Sequence, residues 1–79
     1  MDAVQLGKMI RFHRKKSGLS QEALAKLAGL GKTVIFDAEK GLVAIKYCTL
    51  VKILETLNIT ISFHSPLMHL FEERINEAS

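Results

Sequence analysis

Over most of the chain, apolar residues recur three or four positions apart, and the breaks fall on residues that start or stop helices. Leu6, Met9 and Ile10 share one side of a first helix that Asp2 is suited to cap. Arg11, Arg14, Lys15 and Lys16 crowd its last turns, where cations favour the negative end of the helix dipole, and Ser17-Gly18 then stops it. Ser20 begins a second helix as N-cap, with Glu22 adding negative charge to the first turn. Its inward stripe is read as Ala23, Leu24 and Leu27, while Ala25 and Ala28 are small enough for close packing. Gly29 ends this helix and Leu30 turns back towards the core. A third helix is expected from about Gly31 to Glu39, ended by Gly41. An apolar connection, Leu42 to Ile45, leads to a fourth that holds Leu50, Val51, Ile53, Leu54 and Leu57.

The period then changes. In "NITISFHS" Ile59, Ile61 and Phe63 alternate with Thr60, Ser62 and His64, which is strand periodicity in β-branched and aromatic residues. Ser65-Pro66 reads as N-cap and first residue of a last helix, with Leu67, Leu70, Phe71 and Ile75 as its apolar side and Glu72, Glu73 and Arg74 on the others. One strand cannot satisfy its own ladder. The economical arrangement pairs it with the same segment of a second copy, antiparallel across a two-fold axis, so that Ile59, Ile61 and Phe63 form a shared lid. The alternatives are irregular pairing within its own chain, or an unstructured connection. The expected fold is therefore mainly α and one domain over 1–79. A helical core covers 2–57, a dimerisation strand 58–64 and a short final helix 66–78, which either completes the dimer, docks on a partner or packs on its own domain.

Length and composition narrow the function. A chain of 79 residues is one domain at most, and a core this small is often enlarged by oligomerisation. The net charge of +3 is compatible with nucleic acid without demanding it. The single Cys48 excludes an internal disulfide framework and is expected to be a small packing residue. No apolar run reaches the roughly 18 residues of a membrane span, and no signal-peptide order is visible, so a cytoplasmic setting is expected. His13, His64 and His69 lack the spacing of a helical metal site. With no nucleophile–base pair to assemble either, neither an enzyme nor a cofactor is expected.

Gly31-Lys32-Thr33 has the ending of a phosphate-binding loop. Such a loop needs a glycine five residues before the Gly-Lys pair and after a strand, but that position is Lys26, inside a helix. The nucleotide reading fails on spacing. Two short helices joined by a tight turn, the second opening with polar residues, instead describe a helix-turn-helix, whose second helix enters the DNA major groove. Lys32 and Thr33 are then the first side chains presented to base edges.

Ser20-Gln21, Leu24-Ala25, Gly29-Leu30, Ile35, Glu39 and Gly41 stand at the spacing of the lambda-repressor/Cro-type helix-turn-helix family, which the chain resembles from about residue 6 to 58. Within it, "GLGKTVIFDAEKG" with the later "LNITISFHSPL" looks most like HipB-type antitoxins. The resemblance implies a DNA-binding repressor of its own operon, nucleoid-associated in a bacterial cytoplasm. It also implies a palindromic double-stranded operator, a homodimer and a HipA-like kinase toxin as partner. A plain repressor without a toxin, or an interaction module without specific DNA binding, are the alternatives. By the same resemblance Gln21 binds a phosphate, Lys32, Thr33 and Asp37 face base edges, and Arg14 and Glu39 form an internal salt bridge. Phe36 stands where many relatives carry a small polar residue, and is expected to pack or touch a thymine methyl rather than to serve as a stacking device. Asp37 is either a specificity contact or a tolerated solvated charge, and Lys40 and Lys46 stand in for the basic residues missing from the 42–45 connection.

Overall fold

The computed structural model describes residues 1–42 and 44–78, with side chains to Ile75 in the last helix. Val43 of the apolar connection and Ser79 at the end of the expected domain lie outside the described residues. The elements are α1 (Ala3–Lys16), α2 (Gln21–Ala28), α3 (Lys32–Lys40), α4 (Tyr47–Thr56) and α5 (Met68–Ala78). The fold is mainly helical.

Local chemistry sets the helix bounds. The Asp2 carboxylate accepts from the Gln5 backbone at 2.8 Å while the Gln5 side chain accepts from the Asp2 backbone at 3.1 Å, a reciprocal cap that starts α1. At the other end of the core, α4 closes with Asn58 in the left-handed region (φ 60°). The Asn58 and Ile59 N–H groups return to the carbonyls of Glu55 and Leu54 at 3.0 and 2.8 Å, the Schellman arrangement. Asparagine tolerates that conformation better than most residues with a Cβ.

Around α2 and α3 the helices pack α1 on α3, α2 on α3 and α2 on α4. Ile10, Leu24, Ala25, Ile35, Ala38, Ile53, Leu54 and Leu57 make the core. Leu6, Met9, Leu19, Leu30, Ile45 and Leu50 close over it. Leu27 is a correction: it is 66% exposed. The buried arc of α2 runs through Gln21, Leu24, Ala25 and Ala28, and Leu27 projects roughly 110° from its centre. Cys48 is exposed too, because α4 turns its Ile53–Leu54 side inward.

The C-terminal third departs most from expectation. No strand is present among the described residues, and 59–65 carries no regular structure. Among the described residues no second strand lies opposite the segment to complete a ladder. Ile59 and Ile61 pack on the chain's own core, whereas Phe63 is 65% exposed. The last helix begins at Met68 rather than Pro66, because Pro66 and Leu67 form a turn whose N–H groups at Leu67 and Met68 bond to the Ser65 hydroxyl and carbonyl. Its apolar side, Leu67, Leu70, Phe71 and Ile75, is exposed. No helix among the described residues is long and apolar enough to cross a membrane.

Candidate nucleic-acid interface

The site is built around a three-residue turn. Ser20 accepts the Ala23 N–H at 3.0 Å through its hydroxyl and so fixes where α2 begins. Gly29 ends α2 at φ 72°, a conformation strained for a residue with a Cβ, and Leu30 donates back to the Ala25 carbonyl at 2.8 Å. Gly31 then caps α3 with no side-chain hydrogen bond. Lys26 lies in the last turn of α2, so the Gly-Lys-Thr tripeptide has no glycine-rich cradle before it.

α3 is held from two sides. Ile35 and Ala38 are buried, and Gly7 of α1 rests against its last turn. A Cβ at Gly7 would come within 2.5 Å of the Ala38 carbonyl oxygen and 2.6 Å of that of Glu39. The second hold is ionic. Arg14 donates through Nε to Glu39 Oε2 at 2.6 Å, through Nη2 to Oε1 at 2.9 Å, and through Nη1 to the Leu19 carbonyl at 2.9 Å. The two side chains are only 9% and 4% exposed. Hydrogen bonding to Glu39 raises the Arg14 pKa above its ordinary value against the opposing effect of burial. Gln21 joins the network, donating to Glu39 Oε1 at 3.3 Å.

What α3 leaves outward is a polar face with one ring in it. Lys32, Thr33, Phe36 and Lys40 are exposed and Asp37 is half-buried. Lys40 Nζ sits over the Phe36 ring, 5.6 Å from its centroid, within cation–π range. Arg11, Arg14, Gln21, Phe36, Glu39 and Lys40 line one cleft of about 190 Å³. The cleft thus brings together Gln21, Phe36 and Lys40 of the expected contact set. Lys46 lies outside it, exposed at the N-cap of α4. Two participants escaped the sequence reading. The pattern marks Arg11 only as charge at a helix end, although its three-residue spacing from Arg14 places both on one face. The signal for Gly7 is its place inside a helix, where glycine costs about 1 kcal/mol against alanine and so marks a close contact.

The profile of the helix-turn-helix family HTH_3 matches residues 10–64. The chain belongs to that family. This helix-turn-helix protein is 33% identical over 61 residues to an uncharacterised HTH-type transcriptional regulator, y4mF, of Sinorhizobium fredii, covering 77% of this chain and 80% of the relative. Its structure is similar to the restriction-modification controller protein C.AhdI from Aeromonas hydrophila, with a TM-score of 0.70 and 33% identity over 73% of this chain and 88% of that one. A chain of a HipA–HipB–O2–O3 complex matches with a TM-score of 0.74 over 84% of this chain and 93% of that one; at 24% identity this is a likeness of fold. The protein is a helix-turn-helix transcriptional regulator of the lambda-repressor/Cro type. α2 and α3 are its helix-turn-helix pair, and α3 stands in the position of the recognition helix.

Proposed function

We propose that this regulator is a repressor that binds a palindromic operator as a homodimer and acts as the HipB-like antitoxin of a HipA-like kinase toxin. The observation that carries the DNA reading is the outward face of α3, where Lys32, Thr33, Phe36 and Lys40 are exposed on a helix fixed by the buried Arg14–Glu39 fork. In this reading Lys32 and Thr33 meet base edges, with Asp37 beside them accepting from a cytosine amine. Gln21, at the positive end of the α2 dipole, keeps its remaining amide N–H for a phosphate, and Lys40 and Lys46 reach the backbone on either side.

The dimer is supported by the C-terminal third. Phe63, Leu67, Leu70, Phe71 and Ile75 are exposed beside a segment with no ladder of its own. The radius of gyration is 15.0 Å, against about 12 Å for a compact domain of this length. A second copy laid against 59–64 would satisfy those groups, cover that surface and space two copies of α3 about 34 Å apart along the duplex.

Footprinting on DNA upstream of the chain's own reading frame tests the reading, with two protected blocks one helical turn apart as the expected result. Uniform weak protection that competitor DNA removes would favour the alternative of an interaction module on this fold. A second reading, a regulator without a toxin, is favoured by the 33% identity with a controller protein. Growth arrest by the product of an adjacent reading frame, relieved when this chain is co-expressed, supports the antitoxin reading. Co-expression without relief supports the plain regulator.

A further inference from the structure

Phe36 occupies an unusual place for a phenylalanine. It lies on the outward face of α3, 43% exposed, with Lys32 one turn before it, Lys40 one turn after it and Thr33 beside it. Neither packing nor capping within the chain requires a ring there, since the buried side of α3 is supplied by Ile35 and Ala38. Two cations without a carboxylate fork stand near it: Lys40 Nζ lies over the ring and Arg11 lines the cleft it borders, where the Glu39 carboxylate is taken up by Arg14. An apolar protein surface would have to desolvate those charges, whereas a polyanionic groove welcomes them. The apolar group that base edges present in the major groove is the C5-methyl of thymine.

Resting on the DNA-binding reading above, we propose that Phe36 is a specificity-determining residue of this regulator, packing its ring on a thymine methyl in each half-site. The Lys40 ammonium, held over the ring, is carried to the neighbouring phosphate and fixes the ring's approach. Phe36 and Lys40 thus act as one unit, the ring selecting the base and the cation setting its depth in the groove.

Replacing thymine by uracil removes only the methyl and leaves pairing intact, so it isolates this contact. A bound upstream duplex is scanned with single thymine-to-uracil changes against the wild type, Phe36→Ala, Phe36→Leu and Thr33→Ser. Burial of one methyl corresponds to about four-fold in affinity, and about fifteen-fold when both half-sites are changed. The expected result is one symmetry-related pair of thymines with that penalty. The penalty disappears in Phe36→Ala, is partly kept in Phe36→Leu and is untouched in Thr33→Ser, which keeps the hydroxyl and removes that side chain's own methyl. Specific binding indifferent to uracil at every position would overturn this inference alone. So would a uracil penalty that persists in Phe36→Ala, or operator binding that Phe36→Ala leaves unchanged, as a protein-facing ring would allow. Absence of specific binding to any upstream duplex would overturn the DNA reading beneath it as well.

Discussion

Replacing Glu39 by alanine separates a structural fork from a decorative one. In the folded chain the Glu39 carboxylate accepts from Arg14 at 2.6 and 2.9 Å and from Gln21 at 3.3 Å, in surroundings that leave the pair almost no solvent. Without it, Arg14 keeps only its bond to the Leu19 carbonyl and holds a cation inside the α1–α2–α3 junction. Breaking a buried pair by removing one partner costs about 3–5 kcal/mol. At roughly 0.05–0.15 kcal/mol per residue, a 79-residue domain has about 4–12 kcal/mol in all, so one substitution removes much of it. The midpoint of thermal unfolding should fall by about 12–40 °C. Arg14→Met/Glu39→Met leaves no orphaned charge and should recover part of the loss. Because the folded Arg14 pKa is raised, the stability that the Arg14 charge contributes is complete below the ordinary guanidinium range and is lost only as pH climbs through the folded value. No alkaline weakening is therefore expected at working pH. Urea unfolding followed by circular dichroism reads the differences. Glu22→Ala, which removes the exposed 3.8 Å contact to Lys26, is the control and should cost less than about 0.5 kcal/mol. If Glu39→Ala lost no more than that control, or the double variant were as unstable as the two single changes summed, the buried-fork account would be refuted.

Gly7→Ala should destabilise by about 2 kcal/mol despite alanine's better helix propensity, since its Cβ meets two backbone carbonyls of α3 that have little room to yield; a melt equal to wild type would count against the close crossing. Gly31→Ser separates folding from binding. A Cβ there meets nothing within 4 Å, so stability should hold or rise by a few tenths of a kcal/mol from the added cap, while operator affinity falls where DNA approaches the backbone. Lys40→Ala should reduce the slope of log K against log salt by about 1 and, because the cation sets the approach of the Phe36 ring, weaken binding to the operator more than to nonspecific duplex. Leu70→Glu/Phe71→Glu, at positions exposed in the single chain, should convert a sedimenting dimer to a monomer that still folds and whose melting midpoint no longer depends on protein concentration.

The helical core was legible because each boundary carries its own chemistry. Asp2, Ser20, Gly29 and Gly41 start or stop helices through hydrogen bonds that involve only near neighbours in sequence. Leu27 departs from its expected inward place because an eight-residue helix offers too few turns for its apolar stripe to fix a direction. The segment 59–63 has strand periodicity without strand structure, since pairing is a property of two segments and the pattern belongs to one. The Arg14–Glu39 partnership spans 25 residues, and no local rule links two positions so far apart; the family resemblance did. The cation–π contact of Lys40 with Phe36 is an i,i+4 pair and could have been read directly.

The measurement nearest the central claim is an anisotropy titration of the whole chain against its own upstream DNA, with excess nonspecific competitor and at two salt concentrations, beside Lys32→Ala/Thr33→Ala. Both side chains are exposed at the start of α3, so the double variant should fold as the wild type does. The expected result is competitor-resistant binding that the double variant loses. Binding that vanishes with competitor, or that ignores the two substitutions, would contradict it.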